Sequence, residues 1–460
     1  MNLSSHKPAQ ASDHPRPSPY RWVVLIACWV SFTLTSIDRS TWGPASVFVG
    51  ESLAVPLASL GAFATAYYIG YVVSNALGGL GVDRYGGRIL LTVSLLGAGV
   101  GMTAFGSTTS ATVGIALQAL VGLFAGADYS AGIRLITSWF PAASLGLPLG
   151  LFTTATSLGT AIANTVVPTI IAKYSWHTSY HVFGVISIVL AVLLFFLVRP
   201  GPMLDTADTA DTADTADTAD TADTADSRGE RPGRRLDLGG LVRNRSLVLT
   251  CLTGFGGFWG LYGFITWANA LMIKGHGVTP ATAGLVVSVF AVTAIAVKPA
   301  VGFVTDRFFG GARKTPTIAI LAVFGSTLVC FGALGDPDAL IWLAPLLGAA
   351  AYGWTPLVVA LVPRLVPSSV TGSASGIANA TWQLGSVVVP VVVGMVFSAT
   401  GSFGAAFLAL AAGPFTGCLI MLAVNERPPT RADTPEDAAP AAGQAQGSAV
   451  GRLPMNGPPT

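Results

Sequence analysis

The sequence predicts an all-α membrane protein, with twelve transmembrane helices in two pseudo-symmetric halves of six. Three observations predict it. Only 10% of the 460 residues are charged and 52% are hydrophobic, against about 25% charged in an ordinary soluble domain. Apolar runs close to the roughly 20 residues that a helix needs to cross a bilayer recur along the whole chain. Six such runs, one long polar interruption and six more runs then give the chain an internal symmetry.

The first half holds the runs 21–48, 58–80, 89–107, 111–138, 145–172 and 178–198. The second holds 246–272, 281–304, 316–334, 338–361, 370–398 and 402–424. Five segments are therefore expected: a disordered N-terminus at 1–20, a six-helix half at 21–199, a disordered linker at 200–245, a second half at 246–425 and a disordered tail at 426–460. The linker carries an Asp-Thr-Ala triplet repeat from Asp205 to Asp226, followed by an Arg-rich stretch. Without large apolar residues that repeat cannot bury a core, so it needs only to reach.

Lys and Arg set the orientation. In a twelve-span arrangement Arg16, Arg21, Arg84, Arg88, Arg199, Arg243, Arg245, Arg307, Arg313, Lys314, Arg364 and Arg427 fall on one side, and only Lys173 and Lys274 on the other. Both termini are thus expected in the cytoplasm, in a multi-pass protein of the cell (inner) membrane. Residues 1–20 are polar and Pro-rich and lack the basic-then-apolar order of a secretory signal, so the first span is expected to stay as an anchor.

A net charge of +2 gives no reason to expect nucleic acid. Cys28, Cys251, Cys330 and Cys418 fall singly in apolar segments, as packing residues rather than disulfides or a metal site. No His cluster, no paired nucleophile and base and no GxxxxGKS loop is present, so no metal, cofactor or enzyme activity is expected. The expected partner from composition is the lipid bilayer, with the chain a monomer.

Within the first span the adjacent Asp38 and Arg39 stand out in an otherwise apolar, small-residue helix. Asp38 lies roughly 25 Å along from Arg21, inside a bilayer core about 30 Å thick. A charge there costs at least about 2.5 kcal/mol, which favours a functional pair facing protein or water. The plainer alternative puts both at the outer water boundary. Apart from Asp38 and the loop acids, the only acid within a span is Asp128, about 16 Å inside Trp139. Its structural alternative is a buried acid bonded to a fifth-span Thr or paired with Arg134.

The loop after the second span reads Gly79-Leu-Gly-Val-Asp83-Arg84-Tyr-Gly86-Gly-Arg88, and the second half repeats it as Gly302-Phe-Val-Thr-Asp306-Arg307, followed by Arg313-Lys314. This GxxxDRxGxR pattern resembles the signature loop of the major facilitator superfamily, across residues 21–425. An Asp at that mouth can accept from a neighbouring helix's N-terminal amides and pair with Arg, latching the halves. Close helix approach at Gly79 and Gly302 fits the same role. The resemblance implies the major facilitator fold, with Gly79, Asp83, Arg84, Gly86, Arg88, Arg134, Gly302, Asp306 and Arg307 in gating.

The first half is further similar to the anion:cation symporter family. Asp38-Arg39, Arg134-x4-Trp139-Phe140-Pro141 and Ser175-Trp176-His177 carry that likeness. It implies that Asp38 takes part in proton coupling and that Arg39 binds a substrate carboxylate, a contact its planar guanidinium suits. Two positions depart from the family: Ala125 stands where a Glu is usual, with Asp128 one turn on as its substitute, and Leu145 stands where Arg is common. Tyr352-Gly353-Trp354 and Asn379 also resemble family positions. In this superfamily the first, fourth, seventh and tenth helices line the cavity. The expected substrate residues are Arg39, Tyr71, Asn75, Thr156, Tyr262, Trp354, Asn379 and Gln383, with Asp38 and Asp128 as proton-coupling acids. Trp259, Trp267, Asn164, Asn269, Thr153 and Trp382 are further polar or aromatic candidates, each as readily explained by packing. Lys298, beside Pro299 and about 12 Å before Asp306, reads as a lysine snorkelling to the inner interface, with a binding role as the alternative.

The function this implies is proton-coupled import of a small organic anion, a carboxylate or sugar acid, by alternating access. The alternative is a proton-linked exporter of a drug or secondary metabolite. Against it, the fifth span reads Gly159-Thr-Ala-Ile-Ala-Asn164-Thr-Val-Val-Pro168, a poor match to the GPxxGG-like motif common in exporters of this fold.

Overall fold

A computed structural model describes residues 18–141, 144–202, 241, 243–334, 336–367 and 370–426. The Asp-Thr-Ala repeat lies outside them, as does most of the chain expected to be disordered at 1–20, 200–245 and 426–460. Among the described residues the secondary structure is helical throughout, and twelve helices are long and apolar enough to cross a membrane.

They are α1 (Tyr20–Ser52), α2 (Gly61–Tyr85), α3 (Gly87–Gly106), α4 (Ala111–Trp139), α5 (Gly146–Lys173) and α6 (Trp176–Leu197), then α7 (Arg245–His276), α8 (Pro280–Phe308), α9 (Lys314–Ala333), α10 (Pro337–Leu361), α11 (Thr371–Thr400) and α12 (Phe403–Leu422). Odd-numbered helices run away from the face that carries Tyr20 and Glu426, here called the terminal face. Even-numbered helices return to it.

Local chemistry sets the ends. Ser175, Asn244, Thr279, Asp336 and Ser402 each accept from a first-turn backbone N–H, which satisfies a donor the helix itself cannot. Gly86, at φ +79°, turns α2 directly into α3, a conformation that only glycine adopts without strain. The one break in α1 is at Thr41, whose hydroxyl bonds back to the Ile37 carbonyl.

Several helices approach so closely that no side chain fits between them. A Cβ on Gly122 of α4 would lie 1.9 Å from the Tyr67 carbonyl of α2, and one on Gly70 of α2 would lie 2.1 Å from that of Ala119. The second half repeats the device between α8 and α10, where a Cβ on Gly348 would meet the Phe290 carbonyl at 2.3 Å. Without a hydrophobic force between helices in lipid, this close backbone packing is what holds them.

The halves meet away from the terminal face. A Cβ on Gly61 would stand 2.1 Å from the Pro390 carbonyl, on Gly394 2.1 Å from that of Ala58, and on Gly284 2.1 Å from that of Asn164. Asn269 Nδ2 donates to Asn164 Oδ1 at 2.9 Å, Thr65 Oγ1 donates to the Val387 carbonyl at 2.8 Å, and Thr165 and Ser288 share a hydroxyl bond of 2.9 Å. Lys274 and Glu51 pair at 2.6 Å, but with side chains 43% and 59% exposed they add little to the closure. Among the described residues, the side-chain hydrogen bonds that join the halves all lie on this side. The structure is therefore closed opposite the terminal face and open toward it.

The α2–α4 approach gives a direct test. Gly122→Ala should cost about 1–3 kcal/mol, because backbone must move to admit the methyl. Gly150→Ala, where a Cβ meets nothing within 4 Å, should be neutral. Thermal unfolding of the two detergent-solubilised variants separates them.

Candidate functional site

Between the halves lies a cavity of 460 Å³. Seven of the eight residues expected to touch substrate line it: Arg39 of α1, Tyr71 and Asn75 of α2, Thr156 of α5, Tyr262 of α7, and Asn379 and Gln383 of α11. Phe32, Tyr129, Phe258 and Trp382 supply aromatic wall, and Thr153, Thr355 and Ser375 supply hydroxyls. Beyond Arg39 the space shrinks to a void of about 10 Å³ beside Trp42, Gly43, Tyr67, Tyr68 and Gln118. Arg39 thus forms the floor of the cavity, at the level where the halves close.

The adjacency of Asp38 and Arg39 does not make them an ion pair. Successive residues on a helix point about 100° apart. Phe32 and Arg39, seven residues apart, share the face toward the cavity, and the Arg39 Cζ lies 5.4 Å from the Tyr262 ring centroid. Ser31, Thr35 and Asp38 share a different face, directed into the first half. Asp38 is 2% exposed, and neither of its carboxylate oxygens accepts a hydrogen bond from a described residue. It does not line the cavity.

Asp128 occupies the same interior. It is wholly buried, and accepts from Ser31 Oγ at 2.8 Å and Thr35 Oγ1 at 3.0 Å, tying α4 to α1. Neither the fifth-span threonine nor Arg134 expected as a structural partner takes that role. Arg134 is exposed, in no ion pair among the described residues. The next residue, Tyr129, faces the cavity and packs 5.6 Å from Phe32, so α4 repeats the division seen on α1.

Two expectations need correction. Trp354 does not reach the cavity. It is fully buried, and its ring stands 5.5 Å from Phe258 in the room that Gly257 leaves. Lys298 does not snorkel to an interface. It lines the cavity, with Nζ 5.3 Å from the Tyr352 ring centroid. The signal was available: α8 is 29 residues long, so a lysine ten residues before its end sits about 15 Å inside it. Of the neutral candidates, Thr153 and Trp382 line the cavity, while Asn164 and Asn269 bond to each other across the closed side. Trp259 and Trp267 donate to the carbonyls of Ala409 and Pro390.

At the terminal face the two signature loops differ. In the first, Gly79 lies within α2, and Asp83 is exposed and in no ion pair among the described residues. Arg84 lies 5.5 Å from the Tyr85 ring, and Arg88 Nε donates to the Phe195 carbonyl at 2.8 Å. In the second, Asp306 pairs at 2.7 Å with Arg313 rather than with the neighbouring Arg307, while Gly302 has nothing within 4 Å of its Cβ position. Glu426 caps α9 there, accepting from the backbone N–H of Arg313 at 2.7 Å and of Lys314 at 2.8 Å, with Arg364 at 3.9 Å. A carboxylate at a helix N-terminus is favourably placed. The Trp-Phe-Pro motif is packed rather than lipid-facing: Trp139 donates to the Arg199 carbonyl at 2.9 Å, and Phe140 is 2% exposed beside Trp22.

Twelve apolar helices in two halves, closed on one side around a central cavity of aromatic and polar side chains with buried acids behind its wall, define a membrane transporter and not an enzyme. The sequence model of the Major Facilitator Superfamily matches residues 28–277 and 264–454, and the chain belongs to that family. It is 25% identical over 413 residues to a D-galactonate transporter of Escherichia coli O6:H1, covering 88% of this chain and 95% of the relative. It is 24% identical over 406 residues to a hexuronate transporter of Bacillus subtilis, covering 84% and 90%. The crystal structure of a D-xylose-proton symporter superposes with a TM-score of 0.69 at 17% identity, covering 88% of this chain and 98% of that one, a likeness of fold.

The wall of the cavity can be read optically. A ligand that enters should change the fluorescence of Trp382. That signal should vanish in Trp382→Phe and persist in Trp354→Phe, whose tryptophan lies behind Phe258.

Proposed function

We propose that the chain is a proton-coupled secondary active transporter that imports a small organic anion, a carboxylate or sugar acid, by alternating access. One observation carries the reading: Arg39 faces a cavity that has no carboxylate among its described lining residues, while two acids, Asp38 and Asp128, are buried directly behind it. The names of the D-galactonate and hexuronate relatives support an acid sugar as cargo. The Arg and Lys bias supports a cytoplasmic terminal face in the inner membrane, so the open cavity here is read as inward-facing. The chain is read as a monomer.

In this mechanism Arg39 receives the substrate carboxylate through its paired N–H donors. Tyr71, Asn75, Thr156, Tyr262, Asn379 and Gln383 contact the hydroxylated body. Protonation of Asp38 removes a charge that the first half otherwise holds in a low-dielectric interior. Protonation of Asp128 turns a charge-assisted grip on Ser31 and Thr35 into an ordinary one, because a carboxyl must donate where a carboxylate only accepted. The second change loosens α1 against α4, the first relieves an unpaired buried charge, and together they let the halves rock. Asp83, Arg84, Arg88 and Arg134, with Gly79 and Gly86, then serve as a terminal-face latch that engages when that side closes, and Gly302, Asp306 and Arg307 as its second-half counterpart.

The aromatic wall also admits the exporter reading, in which an apolar cargo leaves the cell. Arg39 on the cavity floor favours an anion over an apolar cargo.

Proteoliposomes test the proposal. An imposed pH gradient, acid on the uptake side, should drive accumulation of D-galactonate or a hexuronate. Asp38→Asn should retain exchange but lose accumulation, and Arg39→Gln should lose both. Equal accumulation with and without the gradient would overturn the coupling.

A further inference from the structure

The two halves do not pack their third helices alike. In the first half α3 meets α4 through glycines: a Cβ on Gly97 would lie 2.2 Å from the Phe124 ring, and one on Gly101 2.7 Å from Val121. The two glycines of α9, Gly325 and Gly332, face α12 instead, where a Cβ would meet Phe415 at 2.7 Å and Phe407 at 2.4 Å. Drawn toward α12, α9 stands off from α8 and α10 near the terminal face, and a groove of 430 Å³ runs between the three helices. Val297, Val301 and Val304 of α8, Ile320 and Val323 of α9 and Leu346 of α10 form its walls. Thr305 is the one polar side chain that lines it, and its hydroxyl is already spent on the Val301 carbonyl at 2.7 Å. Val304, Val323 and Leu346 are exposed, so the groove opens on the lipid-facing side of the bundle. Val297 lines the groove and its neighbour Lys298 lines the cavity, which makes α8 the wall between them.

From Val297 to Phe309 the groove follows α8 for about 18 Å, close to the roughly 15 Å depth of one leaflet's hydrocarbon. Its terminal-face end is basic. Arg307, Arg313, Lys314 and Arg364 gather at the turn from α8 to α9 against the acids Asp306 and Glu426. Both acids are engaged, Asp306 with Arg313 at 2.7 Å and Glu426 with the backbone N–H groups of Arg313 and Lys314. Arg307 and Lys314 are in no ion pair among the described residues. We infer that the groove holds an acyl chain of an anionic phospholipid from the terminal-face leaflet, with Arg307 and Lys314 meeting the headgroup. Basic side chains at the mouth of a slot between helices are the chemistry that retains such lipids. The chain supplies the packing that α9 withholds from α8 and α10, on the side of α8 opposite the cargo space.

Native mass spectrometry of the purified full-length protein tests this, with phosphatidylglycerol and phosphatidylcholine of identical chains as probes. Phosphatidylglycerol should bind at least fivefold more tightly. Ala319→Phe, which fills the groove from α9, should weaken that binding at least fivefold. Ala349→Leu fills it from α10 and serves the same purpose should the first variant not fold. Leu408→Phe, on the lipid-facing side of α12, should change nothing. Arg307→Gln combined with Lys314→Gln should bring the two lipids to equal affinity while both are still retained, because the acyl slot remains. Equal binding of the two lipids by the unaltered protein would overturn the inference. So would groove variants that hold phosphatidylglycerol as tightly as before, a loss of the same size in Leu408→Phe, or a preference that survives removal of both cations. None of these outcomes depends on the cargo, so failure here leaves the organic-anion reading untouched.

Discussion

The structure depends on how it disposes of ionised groups at bilayer depth. Arg39, Lys298, Asp38 and Asp128 would each oppose insertion if they faced lipid. The fold solves this by sorting them. The cations line the water-accessible cavity, stacked on tyrosines, and the acids go into the packed interior of the first half. Helix geometry does the sorting, since neighbouring residues on α1 and on α4 leave the axis in different directions. The tight glycine contacts inside each half then hold those helices rotated as they are.

Much of this was legible in the chain. Twelve spans follow from apolar runs because bilayer thickness permits few other solutions. Seven of the eight residues expected to touch substrate line the cavity, because the family likeness says which helices face the centre. What failed is instructive. The adjacency of Asp38 and Arg39 suggests a shared surrounding, although successive residues on a helix point about 100° apart. Trp354 was expected in the cavity by likeness of position, but Gly257 makes room for its ring one layer deeper. Lys298 reads as snorkelling when only its distance from Asp306 is counted, although α8 is 29 residues long and holds it well inside. The bond of Asp128 to Ser31 and Thr35 joins residues 97 and 93 positions apart, a proximity no local pattern encodes.

The two terminal-face loops share a sequence pattern and differ in bonding. The second is drawn together by Asp306, Arg313, Arg364 and Glu426, whereas the acid of the first stands free of ion pairs among the described residues.

The seam where the halves meet is built largely of main chain. At Gly61, Gly284 and Gly394 a methyl group would collide with a carbonyl of the opposite half. The contact therefore has almost no side-chain chemistry to adjust, and its strength is set by how many such crossings fit within van der Waals reach. Replacing one of them by a larger residue would act as a wedge, shifting the resting population toward a conformer open on the far side without touching the cavity wall or the buried acids. The duty cycle of such a machine can drift through mutations remote from its chemistry.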